Sequence, residues 1–250
     1  MTLKRKPMLL KITRHSKKGD MNMKMTFTKV ALATVLAGTT LFGGAASAAT
    51  KDETKATDRY TALKAGMTIE QAAKVIYGKD YKKQLTKKNG STVLKKKADS
   101  TSTTNGQKAT FYTFVNEKTY MDTTGLMFMT KKKSSIYLLT SKTVSLLRFD
   151  SATGFRESKM KLMKGKKIKN GMTEKQLDSI LSGKGLGEWT SLTTVDWTPV
   201  QTKQELDLGL GVKGYTKWYV FPTSTSQRKY VIMDYDFKKK TYKVASQTSL

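Results

Sequence analysis

The chain holds one histidine, His15, and no cysteine in 250 residues. His15 falls in a segment read below as a removable leader, so the remainder has neither imidazole nor thiol. Ser-His-Asp triads, cysteine nucleophiles and His/Cys zinc sites are thereby excluded from that remainder. Two S-x-x-K spacings survive, Ser158 with Lys161 and Ser226 with Lys229. Such a spacing activates serine only where a helical turn brings the lysine beside it, and it ordinarily accompanies S-D-N and K-T-G elements. Neither companion is present, neither stretch opens a helix, and chance matches are common in so lysine-rich a chain. Asp234 and Asp236 alternate along a strand-like run and share a face. Paired carboxylates there could hold a cation, but a solvated strand face is the plainer reading. Gly183-Lys184-Gly185-Leu186-Gly187 has the composition of a phosphate loop, yet it follows a helix instead of leading from a strand into one. The expectation is no enzyme, no cofactor and no metal.

Binding chemistry is better represented. Trp189, Trp197, Trp218, Tyr230 and Tyr235 lie in or beside strand-like runs among basic residues, as partner-binding aromatics do. Tyr112, Phe114 and Tyr137 share that setting. Strands alternate and one face must be buried, so core packing claims about half of these rings.

The elements that would position them come from an internal repeat. Residues 66–79 (GMTIEQAAKVIYGK) match residues 171–184 (GMTEKQLDSILSGK) at six of fourteen positions, offset by 105. Lys131-Lys132-Lys133 and Lys238-Lys239-Lys240 each sit between strand-like runs, offset by 107. Residues 109–115 have their counterpart in 215–221. In each motif Thr68 or Thr173 is an N-cap, and Gln71 or Gln176 completes a capping box. Met67 and Met172 are placed for a hydrophobic staple on Ala72 and Leu177. Gly78 and Gly183 stop the helix, giving each unit an opening helix of about two to three turns. The strands expected after it are 109–115, 125–130, 135–140 and 144–149, then 191–197, 215–221, 230–237 and 241–246. Asn105-Gly106 and the lysine triplets supply turns. The fold expected is α+β: two tandem units, each a short capped helix or helix pair packed on an antiparallel sheet of about four strands. A short helix covers one sheet face and leaves the other open.

The motif formed by Gly66, Met67, Thr68, Gln71 and Gly78, repeated as Gly171, Met172, Thr173, Gln176 and Gly183, resembles the repeat of the β-lactamase inhibitor protein. It is similar also to the outer-membrane assembly lipoproteins of the SmpA/OmlA group. The resemblance implies one long curved sheet formed by both units, whose concave side binds a protein. The matching residues are helix caps and not contact residues, so no inhibitory loop and no β-lactamase inhibition carry over.

The ends and the charge complete the reading. Lys24 and Lys29, an apolar run over 30–42 and Ala46-Ser47-Ala48 form an export signal cleaved after Ala48. The run is shorter than the ~20 residues of a spanning helix. Met21, Met23 and Met25 are alternative translation starts. The expected layout is a signal peptide over 1–48, a flexible mature N-terminus over 49–58, a first repeat over 59–150, a linker over 151–167 and a second repeat over 168–250. Export without disulfides suits a Gram-positive envelope. The leader carries nine of the 47 basic and one of the 19 acidic residues, which leaves +20 on the rest. Two functions follow: a secreted binding protein offering its open sheet face to an extracellular or cell-surface protein, or a cationic wall-associated protein holding anionic envelope polymers.

Overall fold

Runs of alternating apolar and hydroxyl residues, punctuated by Asn-Gly pairs and lysine triplets, can bury one face of a sheet and solvate the other. The computed structural model, which describes residues 51–116 and 122–249, has that architecture. Helix α1 (Lys51–Ala62) leads to α2 (Ile69–Tyr77), a 3-10 segment (Gly78–Gln84) and a hairpin of β1 (Leu85–Lys88) and β2 (Ser91–Leu94). Then come β3 (Ser100–Thr104), β4 (Gln107–Val115), β5 (Asp122–Thr130), β6 (Tyr137–Leu146) and α3 (Glu174–Asp178). The chain ends with β7 (Ser191–Asp196), a 3-10 turn (Thr198–Val200), α4 (Lys203–Asp207), β8 (Lys213–Pro222), β9 (Arg228–Asp236) and β10 (Thr241–Ser249). The fold is α+β with few, short helices. The expected leader and its cleavage site lie outside the described residues.

Strands β3 to β10 form one eight-stranded antiparallel sheet in strict sequence order, in place of a four-stranded sheet for each half; β1 and β2 pair separately. The halves meet at β6 and β7, where Thr143 faces Thr193 and Val144 faces Leu192. Two expected strands over 135–140 and 144–149 are the single strand β6. The polar stretch Ser141-Lys142-Thr143 between them is no turn, because a bulge at Thr140 and burial of Lys142 carry the strand through it.

Both motif segments do the same work. Gly66 N–H donates to the Leu139 carbonyl (2.8 Å), and Leu139 N–H donates to the Met67 carbonyl (2.7 Å). Gly171 N–H donates to Val244 (2.7 Å), and Val244 N–H donates to Met172 (2.8 Å). Each contact is followed by a bulge, at Thr140 in β6 and Ala245 in β10. Both capping boxes are formed, Thr68 with Gln71 and Thr173 with Gln176. Gly78 ends α2 with φ 60°. Helix α3, in contrast, stops at Asp178, five residues before Gly183. Its carboxyl side is drawn off by a bridge between Leu181 and Leu162 and by the Met163 N–H, which donates to Ile180.

Two further expectations are corrected. Within the expected N-terminal stretch 49–58, residues 51–58 form most of α1, whose Glu53, Ala56 and Tyr60 lie buried along one stripe. Residues 151–167 are not a free linker. Ser158 N–H donates to the Val220 carbonyl and Leu162 N–H to that of Pro222, while Met160 and Leu162 pack on the core.

The helices cover one sheet face. Leu126, Phe128 and Leu139 pack there with Ile69 and Ala72 of α2. Val144, Leu192, Val231, Met233 and Tyr242 pack with Ala56 and Tyr60 of α1 and Leu177 of α3. Each of the large apolar side chains sealed this way contributes about 1.5–3 kcal/mol.

Candidate functional site

The pairing register fixes what the other face shows. Thr113, Gly125, Thr143, Thr193 and Thr216 stand opposite one another in turn from β4 to β8, and Asp234 of β9 continues the row. A second row runs Val115, Thr123, Ser145, Ser191, Trp218 and Ile232. On the far side lie Phe111, Met127, Ser141 and Val195. The hydroxyls bond laterally: Thr143 to Thr193 and Ser145 to Ser191, each at 3.0 Å, and Thr216 donates to Asp234 Oδ1 at 2.9 Å. The Phe111 ring lies over Gly125, where a Cβ would stand only 3.0 Å from it. From β3 through β8 no strand residue on this face is charged.

The predicted aromatics divide between the two faces. Trp218 is 37% exposed on the uncovered face. Tyr230 stands beside it, with the two rings 6.4 Å apart and perpendicular, and Phe155 edges the other side of Tyr230 at 6.3 Å. Trp189 is instead in the core, at 4% exposure. Tyr235 belongs to the helix-covered face, among Tyr215, Phe237 and Tyr242. Trp197 lies half-buried just past β7, its indole N–H enclosed. Tyr112 is buried and Phe114 partly buried against α2. Phe111 and Met127 were not foreseen as binding residues, although strand alternation from Tyr112 would have placed Phe111 on the uncovered face.

The candidate chemistry does not assemble. Ser158 is buried and donates to the Leu186 carbonyl, while Lys161 is exposed. The Ser226 backbone caps a turn through Ser224, and the Lys229 ammonium donates to Gln247. Asp236 takes a hydrogen bond from Lys243 and backbone N–H groups of Lys239 and Lys238, which holds its carboxyl down at about 2. Asp234 is occupied by Thr216. Gly183 and Gly187 close a turn against Met160 and Ser158.

Two lysines on the helix-covered side, Lys142 and Lys217, are enclosed. Lys142 Nζ donates to the Tyr60 and Leu63 carbonyls of α1 and its end (2.5 and 2.6 Å) and sits 3.9 Å over the Tyr60 ring. Burial pushes its pKa down to about 7. Lys217 Nζ meets Glu174 at 2.8 Å, 4.1 Å over the Tyr242 ring, and burial lowers it as well.

A concavity opens between the β1–β2 hairpin and strands β3 and β4. It encloses about 730 Å³ and is lined by Lys88, Lys95, Lys96, Lys97 and Lys108 over Thr110, Tyr112 and Tyr137.

No family model matches the chain, and no curated protein or solved structure matches it significantly.

Proposed function

We propose that this chain is an exported, non-enzymatic binding protein that presents the uncovered face of its sheet to an extracellular or cell-surface protein, as an inhibitor or adaptor. The observation that carries the reading is the lack of any charged strand residue on that face from β3 through β8, in a chain of net charge +28. Interface cores are depleted of charge and enriched in aromatic residues and methionine. Phe111, Met127, Trp218 and Tyr230 are of that kind. The central hydroxyls between them, Thr143 with Thr193 and Ser145 with Ser191, are already bonded sideways, so the donor shared within each pair stays satisfied when the face is covered.

Kinship with the β-lactamase inhibitor protein type is part of the proposal, with β3–β6 and β7–β10 read as two tandem copies. What supports it is the shared set of backbone bonds, bulges and capping boxes at a spacing of 105 residues.

The test is capture from the surface fraction of the producing organism on immobilised residues 49–250. A specific protein should be retained in about half-molar salt, where exposed charges are screened. Trp218→Ala or Tyr230→Ala should weaken capture by about tenfold or more. Capture that neither substitution changes, or that salt alone abolishes, overturns the reading.

A further inference from the structure

We infer that the groove between the β1–β2 hairpin and strands β3–β4 is a second binding site, for a linear phosphodiester polymer held by its phosphates. Between Gly78 and Lys108 the chain has nine lysines against two aspartates. Both aspartates are engaged elsewhere: Asp80 pairs with Lys83 at 3.0 Å, and Asp99 accepts the Thr113 N–H. Five of the lysines converge on the groove, no carboxylate lines it, and none of the five makes an ion pair among the described residues. A cleft lined by one sign of charge focuses its field and concentrates counter-ions, which a scatter of surface lysines does not.

The form of the ligand follows from the form of the site. Lysine is a hydrated point charge without the planar fork of arginine, so five of them suit a repeating charge better than one fixed phosphate. The cationic wall is concave, and a flat bilayer meets only its rim. The aromatic residues at the floor are Tyr112, at 3% exposure, and the partly buried Tyr137, so bases have little surface on which to stack. Lys108, Tyr112 and Tyr137 also lie on the helix-covered side, opposite the uncharged face. A polymer held in the groove therefore leaves that face free, and the site stands whether or not the face binds a protein.

The test is fluorescence anisotropy of a labelled glycerol-phosphate oligomer against residues 49–250 across a salt series. Replacing Lys95, Lys96 and Lys97 together by Gln should weaken binding about tenfold or more. It should also reduce the salt slope by about two to three, close to one for each phosphate left without its lysine. The control replaces Lys164, Lys166 and Lys167 by Gln, an equal charge change on exposed residues outside the groove, and should shift affinity less than about threefold. Equal losses in both variants would reduce the site to general polycation attraction and overturn the proposal. So would tighter, groove-dependent binding to anionic phosphatidylglycerol vesicles or to a single-stranded oligonucleotide of equal charge. Unchanged partner capture by the groove variant separates a failure here from a failure of the uncharged face.

Discussion

Lys142 stands inside the sheet, and its neighbours pull it in two directions. Two carbonyls and the Tyr60 ring favour the ammonium, while burial disfavours it and prevails, holding the pKa near 7. An unfolded lysine keeps its proton to above pH 10, so between about pH 7 and pH 10 the unfolded chain binds more protons than the folded one. Stability should therefore rise with pH across that window, and Lys217 adds in the same direction. Above about pH 10 the sign reverses. Burial raises the Tyr60 pKa to about 12, and those of Tyr219 and Tyr242 further, so the unfolded chain ionises first. Urea unfolding from pH 6 to 11 should show a maximum near pH 9 to 10, and Lys142→Met should flatten the rising limb. A rise as steep in Lys142→Met as in the parent would remove Lys142 as its source. Tyr60→Phe should cost about 1 kcal/mol, because it deletes the bond between the Tyr60 and Thr194 hydroxyls. Tyr60→Ala should cost about 3–5 kcal/mol through the cavity it leaves.

At the scale of elements, the two motifs make the same caps on unequal helices. Thr68→Ala and Thr173→Ala should each cost about 1 kcal/mol in chemical unfolding, and the double variant should cost their sum because the motifs share no partner. What was legible in the sequence was local. Thr68 and Gln71 announce a helix start within four residues, and Asn105-Gly106 announces a hairpin through two positive φ angles, 51° and 76°. What escaped depends on distant neighbours. Helix α1 has few apolar residues, and only the sheet beneath it makes Ala56 and Tyr60 a buried stripe. Strand β3 is a Ser/Thr run exposed at every position, with no period to read. Lys142 falls in the gap between two expected strands, and only the carbonyls of Tyr60 and Leu63, from α1 and just past it, explain its burial within one strand. Helix α4 had a local sign of its own, Thr202 and Glu205 in a third capping box. The same division holds for the candidate site: alternation told that some aromatics must face outward, but only the sheet register separates Trp218 and Tyr230 from Trp189 and Tyr235.

At the scale of the whole molecule, strand charge is kept off one sheet face from β3 through β8 and gathers there only on β9 and β10. Polymer binding in the groove should fall steeply with salt, while protein capture on the uncharged face should not, and saturating polymer should change capture less than about twofold. Pull-downs with and without the glycerol-phosphate oligomer would show it; mutual exclusion would mean that the two surfaces are not independent. The order of the sheet has a temporal side as well. Every strand from β3 to β10 pairs with its successor, so β3 to β6 can zip up strand by strand as the chain is delivered, whereas the join of β6 to β7 waits for the long excursion between Leu146 and Ser191. Helix α1 waits for the same join. Its Tyr60 meets Thr194, 134 residues later. Helix α1 is thus among the last elements to be sealed, because until β7 arrives its Tyr60 lacks the Thr194 hydroxyl. Helix α1 therefore stays pliable through most of the synthesis that follows it, and it locks only when β7 is in place.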